Sequence, residues 1–371
     1  MRPWLLGAIV SLLILVVLLA DNIVVTTQGD TQTPNIEKMV DFLLDTQFNG
    51  SLGLCREAPT AAPNTYWLAS DNLWAWKALT LAANQPGLAN AAEAGATAQK
   101  IKNSLTTLAA QYNLPTDSDG LPESFCHEAV IGGPVQLPFR TNNPQTLYSD
   151  SYTLKTDMRN GTAMPDWTNY SDLALYGALS YYWQNNDAAA ISYYNMAVGM
   201  WNETSQGLQD VVNTNFTAGA TTGDYSTFKV ALLLYVSNLL GQNPSLRAEL
   251  TNKIYAQQAE NGGITTDYYA NGASVGDTNT ETTSIVIIAL LTPPTPTQTP
   301  TPPVTPTATS TTPVTPTITP TATSTITISP TPPFFSTNDL MIIAIVSLTT
   351  IISLIIIVAL KRPFKHLSSS T

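Results

Sequence analysis

Four times before residue 292, the chain repeats one local pattern. A helix-patterned segment ends at Gln or Trp, the chain turns, and a glycine, an apolar residue and a carboxylate follow. The helix ends are Gln47-Phe48-Asn49-Gly50, Gln111-Tyr112-Asn113, Trp201-Asn202 and Gln258-Ala259-Glu260-Asn261-Gly262. The carboxylates that follow are Glu57 after Gly53, Glu123 after Gly120, Asp210 after Gly207 and Asp267 after Gly263. Glycine ends helices because it takes left-handed backbone without a Cβ penalty. Helix termination does not ask for the carboxylate. Between these turns lie segments that open with polar residues and become apolar nearly all round, such as Ile285-Val286-Ile287-Ile288-Ala289-Leu290-Leu291. A helix of that kind is buried on most sides. The openings are Ser70-Asp71-Asn72, Tyr170-Ser171-Asp172, Asp224-Tyr225-Ser226 and Asp277-Thr278-Asn279. Amphipathic helices alternating with buried ones predict an all-α fold of about four or five hairpins in two concentric layers. The stretch 114–168 breaks the spacing, either as a fifth hairpin or as a functional insertion over one mouth.

The turn Gln258-Ala259-Glu260-Asn261-Gly262-Gly263, followed by Asp277-Thr278-Asn279-Thr280-Glu281-Thr282-Thr283, resembles the α/α-toroid superfamily. That superfamily includes six-hairpin glycosidases and the terpenoid cyclase/prenyltransferase group. Tyr66-Trp67-Leu68-Ala69-Ser70-Asp71-Asn72-Leu73 is similar to the aromatic-acidic mouths of the glycosidase side. The resemblance covers about 35–291 and implies a toroid with fewer hairpins than the usual six. The cyclase acid motif Asp-x-Asp-Asp is absent. Zinc-dependent prenyl transfer is hard to assemble from two histidines, one of them the near-terminal His366.

The ends read differently from the body. Residues 1–20 carry one cation and then an apolar run, as a cleaved secretory signal or an uncleaved anchor does. Residues 340–360 are uncharged and long enough to cross a bilayer, and Lys361-Arg362 follow. Positive flanks stay inside. The expectation is a single-pass plasma-membrane protein with an extracellular body over 30–291 and a cytoplasmic tail over 361–371. Residues 292–336 hold 13 of the 26 prolines by Pro333 and form a Thr/Pro stalk, extended and suited to O-glycosylation.

In a ring of hairpins, the post-turn segments and the buried-helix starts converge on one mouth. That expectation gathers Glu57, Asp71, Glu123, Asp172, Asp210, Asp224, Asp267, Asp277 and Glu281, with Tyr66, Trp67, Trp74, Tyr170 and Tyr225 among them. Aromatic faces stack on sugar rings and carboxylates accept hydroxyl hydrogen bonds. Glycoside hydrolysis needs one protonated and one ionised carboxyl. Glu123, Asp71 and Asp172 are the candidate catalytic acids, and the remainder are candidate substrate-binding residues. The ordinary reading of an Asp at a helix start is a cap, for Asp71, Asp172 and Asp277 alike, and Glu281 would complete a capping box with Thr278. Cys55 and Cys126 follow successive turns in an oxidising compartment, which predicts a disulfide. The alternative is a nucleophile within Cys126-His127-Glu128. No metal or cofactor is expected. Sequons stand at Asn49, Asn160, Asn169, Asn202 and Asn215.

Only 11% of residues are charged and the net charge is −11, which excludes nucleic-acid binding through clustered cations. The leading expectation is a surface-tethered glycoside hydrolase or polysaccharide lyase acting on a carbohydrate or envelope glycan. The alternatives are a non-catalytic domain binding a glycan or a protein, and a structural envelope component. The sequence does not specify the oligomeric state.

Overall fold

The structure, a computed structural model, describes residues 35–296 except 124–126, 159 and 212–223. Each of the four repeats begins with an outer helix. These are α1 (Ile36–Asp41, continued as a π-helical turn through Phe42–Gln47), α3 (Ala91–Gln111), α6 (Asp187–Val198) and α8 (Pro244–Tyr255). The buried helices are α2 (Asp71–Ala83), α5 (Ser171–Trp183), α7 (Thr227–Leu240) and α9 (Thr280–Leu291). They stand side by side in the order α2–α9–α7–α5. A short helix, α4 (His127–Ile131), touches both α5 and α2. Their shared core includes Trp74, Phe42, Phe139, Tyr194, Tyr225 and Tyr268.

The all-α toroid expectation is corrected. The described residues are 47% helix and 18% strand, with four small sheets, so the fold is mixed. The stretch 114–168 is not a fifth hairpin of helices. It carries α4 and an antiparallel pair, β4 (Asn143–Ser149) with β5 (Thr153–Met158), and β5 pairs in parallel with β3 (Thr65–Trp67). A second three-stranded sheet joins β8 (Asp224–Ser226), β9 (Thr265–Tyr269) and β10 (Ser274–Thr278). These strands are short, and β3–β5 and β8–β9 pair across long stretches of chain. Local periodicity therefore does not announce them.

The repeated glycines do not end helices, a second correction. They close small β-turns beyond the helix ends. In each repeat an Asn or Asp side chain accepts backbone N–H groups just downstream of it. Asn49 Oδ1 accepts from Ser51 and Leu52 (3.0 and 3.2 Å), and Asp117 Oδ1 from Asp119 and Leu121 (2.8 and 2.9 Å). Asn202 Oδ1 accepts from Thr204 and Ser205 (3.0 and 3.1 Å), and Asn261 Oδ1 from Gly263 (3.0 Å). These are Asx turns, in which the side chain stands in for a backbone acceptor. They are closed by the pairs β1 (Phe48–Asn49) with β2 (Leu54–Cys55) and β6 (Trp201–Asn202) with β7 (Gly207–Leu208), and by the bridges Thr116–Pro122 and Gln258–Ile264. In three repeats a glycine takes the left-handed residue of the turn. In the third, Gln206 takes it (φ 52°), and Gly207 is needed instead because a Cβ there would run into the Tyr225 ring.

The first and last repeats are fastened together. Asn35 N–H donates to Gln258 Oε1 (3.3 Å), and Gln258 Nε2 donates back to the Asn35 carbonyl (3.1 Å). Inside, the fully buried Gln47 donates through Nε2 to the carbonyls of Arg56 and Glu57 and to Thr280 Oγ1 (3.2, 3.2 and 3.0 Å).

The expected disulfide is also corrected. Cys55 is a free, fully buried thiol, and its backbone is locked to Asn72 by N–H···Oδ1 (2.7 Å) and Nδ2–H···O (3.0 Å) bonds. Burial, then the nearby Asp71, pushes the thiol far above its ordinary titration range. Its partner in that expectation, Cys126, lies outside the described residues. Among the described residues no helix is long and apolar enough to cross a membrane. The runs 4–20 and 340–360, on which the membrane expectation rested, lie outside them, as does the stalk beyond 296.

Candidate functional site

Six of the predicted acids belong to three local clusters.

The first group surrounds the start of α2. Asp71 is the first residue of that helix rather than its cap, and it is 3% exposed. Its Oδ2 atom has no hydrogen-bond partner among the described residues. Burial, then the carboxylates of Glu281, Glu57 and Asp157, holds the Asp71 carboxyl well above the usual range, against a lowering hydrogen bond from Ser70. Trp67 Nε1 donates to Glu57 Oε2 (2.9 Å), and the Lys155 ammonium lies 4.9 Å from the Trp67 ring centre. The α9 cap is Asn279, whose Oδ1 accepts from Thr282 N–H (2.8 Å), so the expected Thr278–Glu281 capping box does not form.

The second group surrounds the start of α5. Ser171 donates to Asp210 Oδ1 twice, through its N–H (2.8 Å) and its hydroxyl (2.6 Å). Lys229, on α7, pairs with Asp210 (2.6 Å) and Asp172 (3.4 Å). Burial opposes the Asp210 charge, but the Lys229 ammonium and the Ser171 donors outweigh it and hold the carboxyl below its ordinary value. Burial likewise opposes the ammonium, and Asp172 and Asp210 raise it nonetheless. Asp210 therefore caps a helix from another repeat. Asp172 and Asp210 are committed to an ion pair.

The third group lies in the insertion. An open cleft of about 550 Å³ is walled by Glu123, Glu128, Gln136, Arg140, Met158 and Asn160. A second, of about 310 Å³, shares Glu128 and Pro134 with it. Glu123 is exposed and held by its N–H to the Pro115 carbonyl (2.7 Å), at the end of the Asp117 turn. Glu128 is half-buried on α4. That helix is too short to satisfy itself, and three buried helices complete it. Trp183 Nε1 donates to the Ala129 carbonyl (2.6 Å), the Tyr235 hydroxyl to Val130 (3.0 Å) and Lys77 Nζ to Ile131 (3.4 Å). The cleft wall is thereby anchored to the core. Arg140 donates through Nη1 to the Gly161 carbonyl (2.9 Å) on the opposite strand of the insertion.

The remaining predicted residues lie in the core, at a helix start or on the short strands. Trp74 is fully buried in the core. Tyr66 is buried and accepts from Asn49 Nδ2 (3.0 Å), and Tyr225 stacks on Tyr268 with ring centres 5.7 Å apart. Tyr170 caps α5 by position, without a side-chain bond. Asp224 is exposed on β8, at its pairing with Tyr269. Asp267 accepts from Ser226 (3.1 Å) across β8–β9. Asp277 sits on β10 rather than at a helix cap, and it binds Thr60 and the Ala61 N–H (2.9 Å). Those hydrogen bonds lower its carboxyl against the effect of burial.

Sequence reasoning placed Glu123 correctly at an insertion but passed over Glu128 as part of a cysteine motif. It did not single out Gln136 or Arg140, and it named Asn160 only as a sequon. The signal available was the length of 114–168, which marked the region without ranking its residues. Among the described residues no cluster of His, Cys, Asp and Glu is placed to hold a metal ion. No family model matches this chain, and no curated protein matches it.

Proposed function

We propose that this chain acts on glycans as a glycoside hydrolase, with Glu123 and Glu128 as its reacting carboxyl pair. The observation that carries this reading is the occurrence of two carboxyl groups of unlike exposure in one open, polar cleft. Hydrolysis of a glycosidic bond uses such a pair, one group donating a proton and the other activating water or attacking the sugar. Glu128, deeper in the wall, is assigned the proton-donor role. Glu123, open to solvent, is assigned the nucleophile or base role. Gln136, Asn160 and Arg140 supply hydroxyl-binding groups around them. Acids outnumber the one described cation on this wall, which favours a neutral glycan over a uronate and hydrolysis over elimination.

The test is incubation of the full-length chain with a panel of polysaccharides, reading new reducing ends and unsaturated products. Cleavage should leave saturated ends. Glu123→Gln and Glu128→Gln should each lower the rate by about 10²–10⁴-fold with thermal unfolding unchanged. Unsaturated ends would replace hydrolysis by lyase chemistry. Binding without cleavage would favour a non-catalytic glycan-binding domain, a reading supported by the commitment of Asp172, Asp210 and Asp277 to structure.

A further inference from the structure

We propose that a second groove, outside the acidic cleft, binds one neutral sugar residue through Tyr152 and a ring of hydroxyl and amide groups on α3 and the first turn. The groove has a volume of about 260 Å³ and lies between the β1–β2 turn, α3 and the start of β5. Its polar lining is Ser51, Asn103, Ser104 and Thr107. Its apolar wall is formed by leucines and Tyr152.

Three features point to a saccharide. First, none of the described residues lining the groove is Asp, Glu, Lys or Arg. A charged ligand group would find no opposite charge on this lining, so the groove suits a neutral ligand. Second, Tyr152 belongs to a built aromatic wall. Its ring centre is 4.6 Å from Tyr148 and 6.0 Å from Tyr66, the latter edge-on at 89°. These neighbours hold the ring in place, so little side-chain entropy remains to be lost when a ligand stacks on it. Burial, then Tyr148, Tyr112 and Tyr66, pushes its hydroxyl above the ordinary tyrosine value. Third, the opposite wall offers the Ser51 and Ser104 hydroxyls, the Asn103 Nδ2 donor and the Thr107 hydroxyl as an acceptor, its proton being given to the Asn103 carbonyl (2.8 Å), so donors and acceptors both face a polyhydroxylated ring. Gly53 lets the turn come close enough to complete the groove. It is left-handed (φ 68°), and a Cβ there would run into Ser104.

The groove shares only its ligand class with the proposed hydrolase reading, and separate residues test the two. The measurement is titration of the full-length chain with cellopentaose, laminaripentaose, mannopentaose and chitopentaose, followed by saturation-transfer NMR. Four variants are compared with the parent: Tyr152→Ala, Tyr152→Phe, Thr107→Arg and Glu123→Gln. At least one probe should bind. Tyr152→Ala should weaken it about tenfold, the scale of one lost aromatic partner, and Tyr152→Phe about twofold. Thr107 is exposed on α3, so Thr107→Arg fills the groove without entering the core and should abolish binding to it. Glu123→Gln should leave this affinity unchanged while removing cleavage. If Tyr152→Ala fails to fold, Thr107→Arg decides. The proposal is overturned if no neutral probe binds, if Thr107→Arg leaves binding intact, or if Glu123→Gln alone removes it. Self-association of the parent that Thr107→Arg abolishes, with no sugar bound, would assign the groove to a second copy of the chain instead.

Discussion

The starts of α2 and α5 share a sequence pattern and have opposite electrostatics. Each buried helix begins with an Asp in its first turn, and each has a post-turn carboxylate from another segment nearby. At α2, Asp71 meets Glu57 and Glu281, and its carboxyl is driven up. At α5, Asp172 and Asp210 meet Lys229, and Asp210 is driven down. One side chain on a third helix makes the difference. Burial raises carboxyl pKa values at both starts, and at α5 the Lys229 ammonium, with the Ser171 donors, reverses the sign. A recurring acid in a repeat therefore carries no fixed protonation state.

The largest expected effect breaks the second site. Lys229→Met leaves the buried Asp210 and the partly buried Asp172 without their cation and should destabilise the chain by about 3–5 kcal/mol, measured by urea unfolding at pH 7. A loss below about 1 kcal/mol would mean that the triad behaves as a surface pair.

A smaller effect, of opposite sign, is expected at the first site. Because the folded Asp71 carboxyl titrates above its unfolded value, the native state binds more protons across that window, and stability falls as pH rises through it. Asp71→Asn removes this slope. The variant should match the parent below the ordinary carboxyl range and exceed it at pH 7. Asp210 behaves in reverse, contributing stability above the ordinary carboxyl range that is lost as pH falls. Asp210→Asn should lose most at neutral pH and least in acid. Unfolding curves between pH 3 and 8 would separate the two, and parallel profiles would end the comparison.

The smallest effect belongs to an exposed pair used as a control. Lys102 and Asp119 lie 3.8 Å apart with side chains 32% and 59% exposed. Lys102→Ala should cost under about 1 kcal/mol, and raising the salt to about 1 M should erase the ionic part of that loss, because exposed pairs are screened. The Lys229 pairs should keep most of their contribution in the same salt.

The sequence made some of this legible and hid the rest for identifiable reasons. Alternating amphipathic and all-apolar segments marked the eight long helices of the described body, because helical periodicity is local. The turns were visible as a repeat, but their mechanism was misread. An Asx turn and a helix end both place Asn and Gly close together, and only the distance past the helix separates them. The strands of the insertion escaped because β3 pairs with β5 from about 90 residues further along the chain, and no local pattern encodes a partner that distant. Glu123 was found through its place at the insertion. Glu128 was hidden because it stands on a five-residue helix held by Lys77, Trp183 and Tyr235, all remote in sequence.

By itself the sequence determined the helices, the four turns and the acidic, cation-poor character of the body. Each of these depends on propensity, periodicity or composition within a few residues. Tertiary structure alone decided that Cys55 stays a free thiol, that Lys229 neutralises one acid group and not the other, and that the open cleft lies at Glu123 rather than Asp71. A charge's protonation, a thiol's partner and a cleft's location depend on burial and on neighbours brought from distant parts of the chain. Those arrangements exist only after the helices have packed.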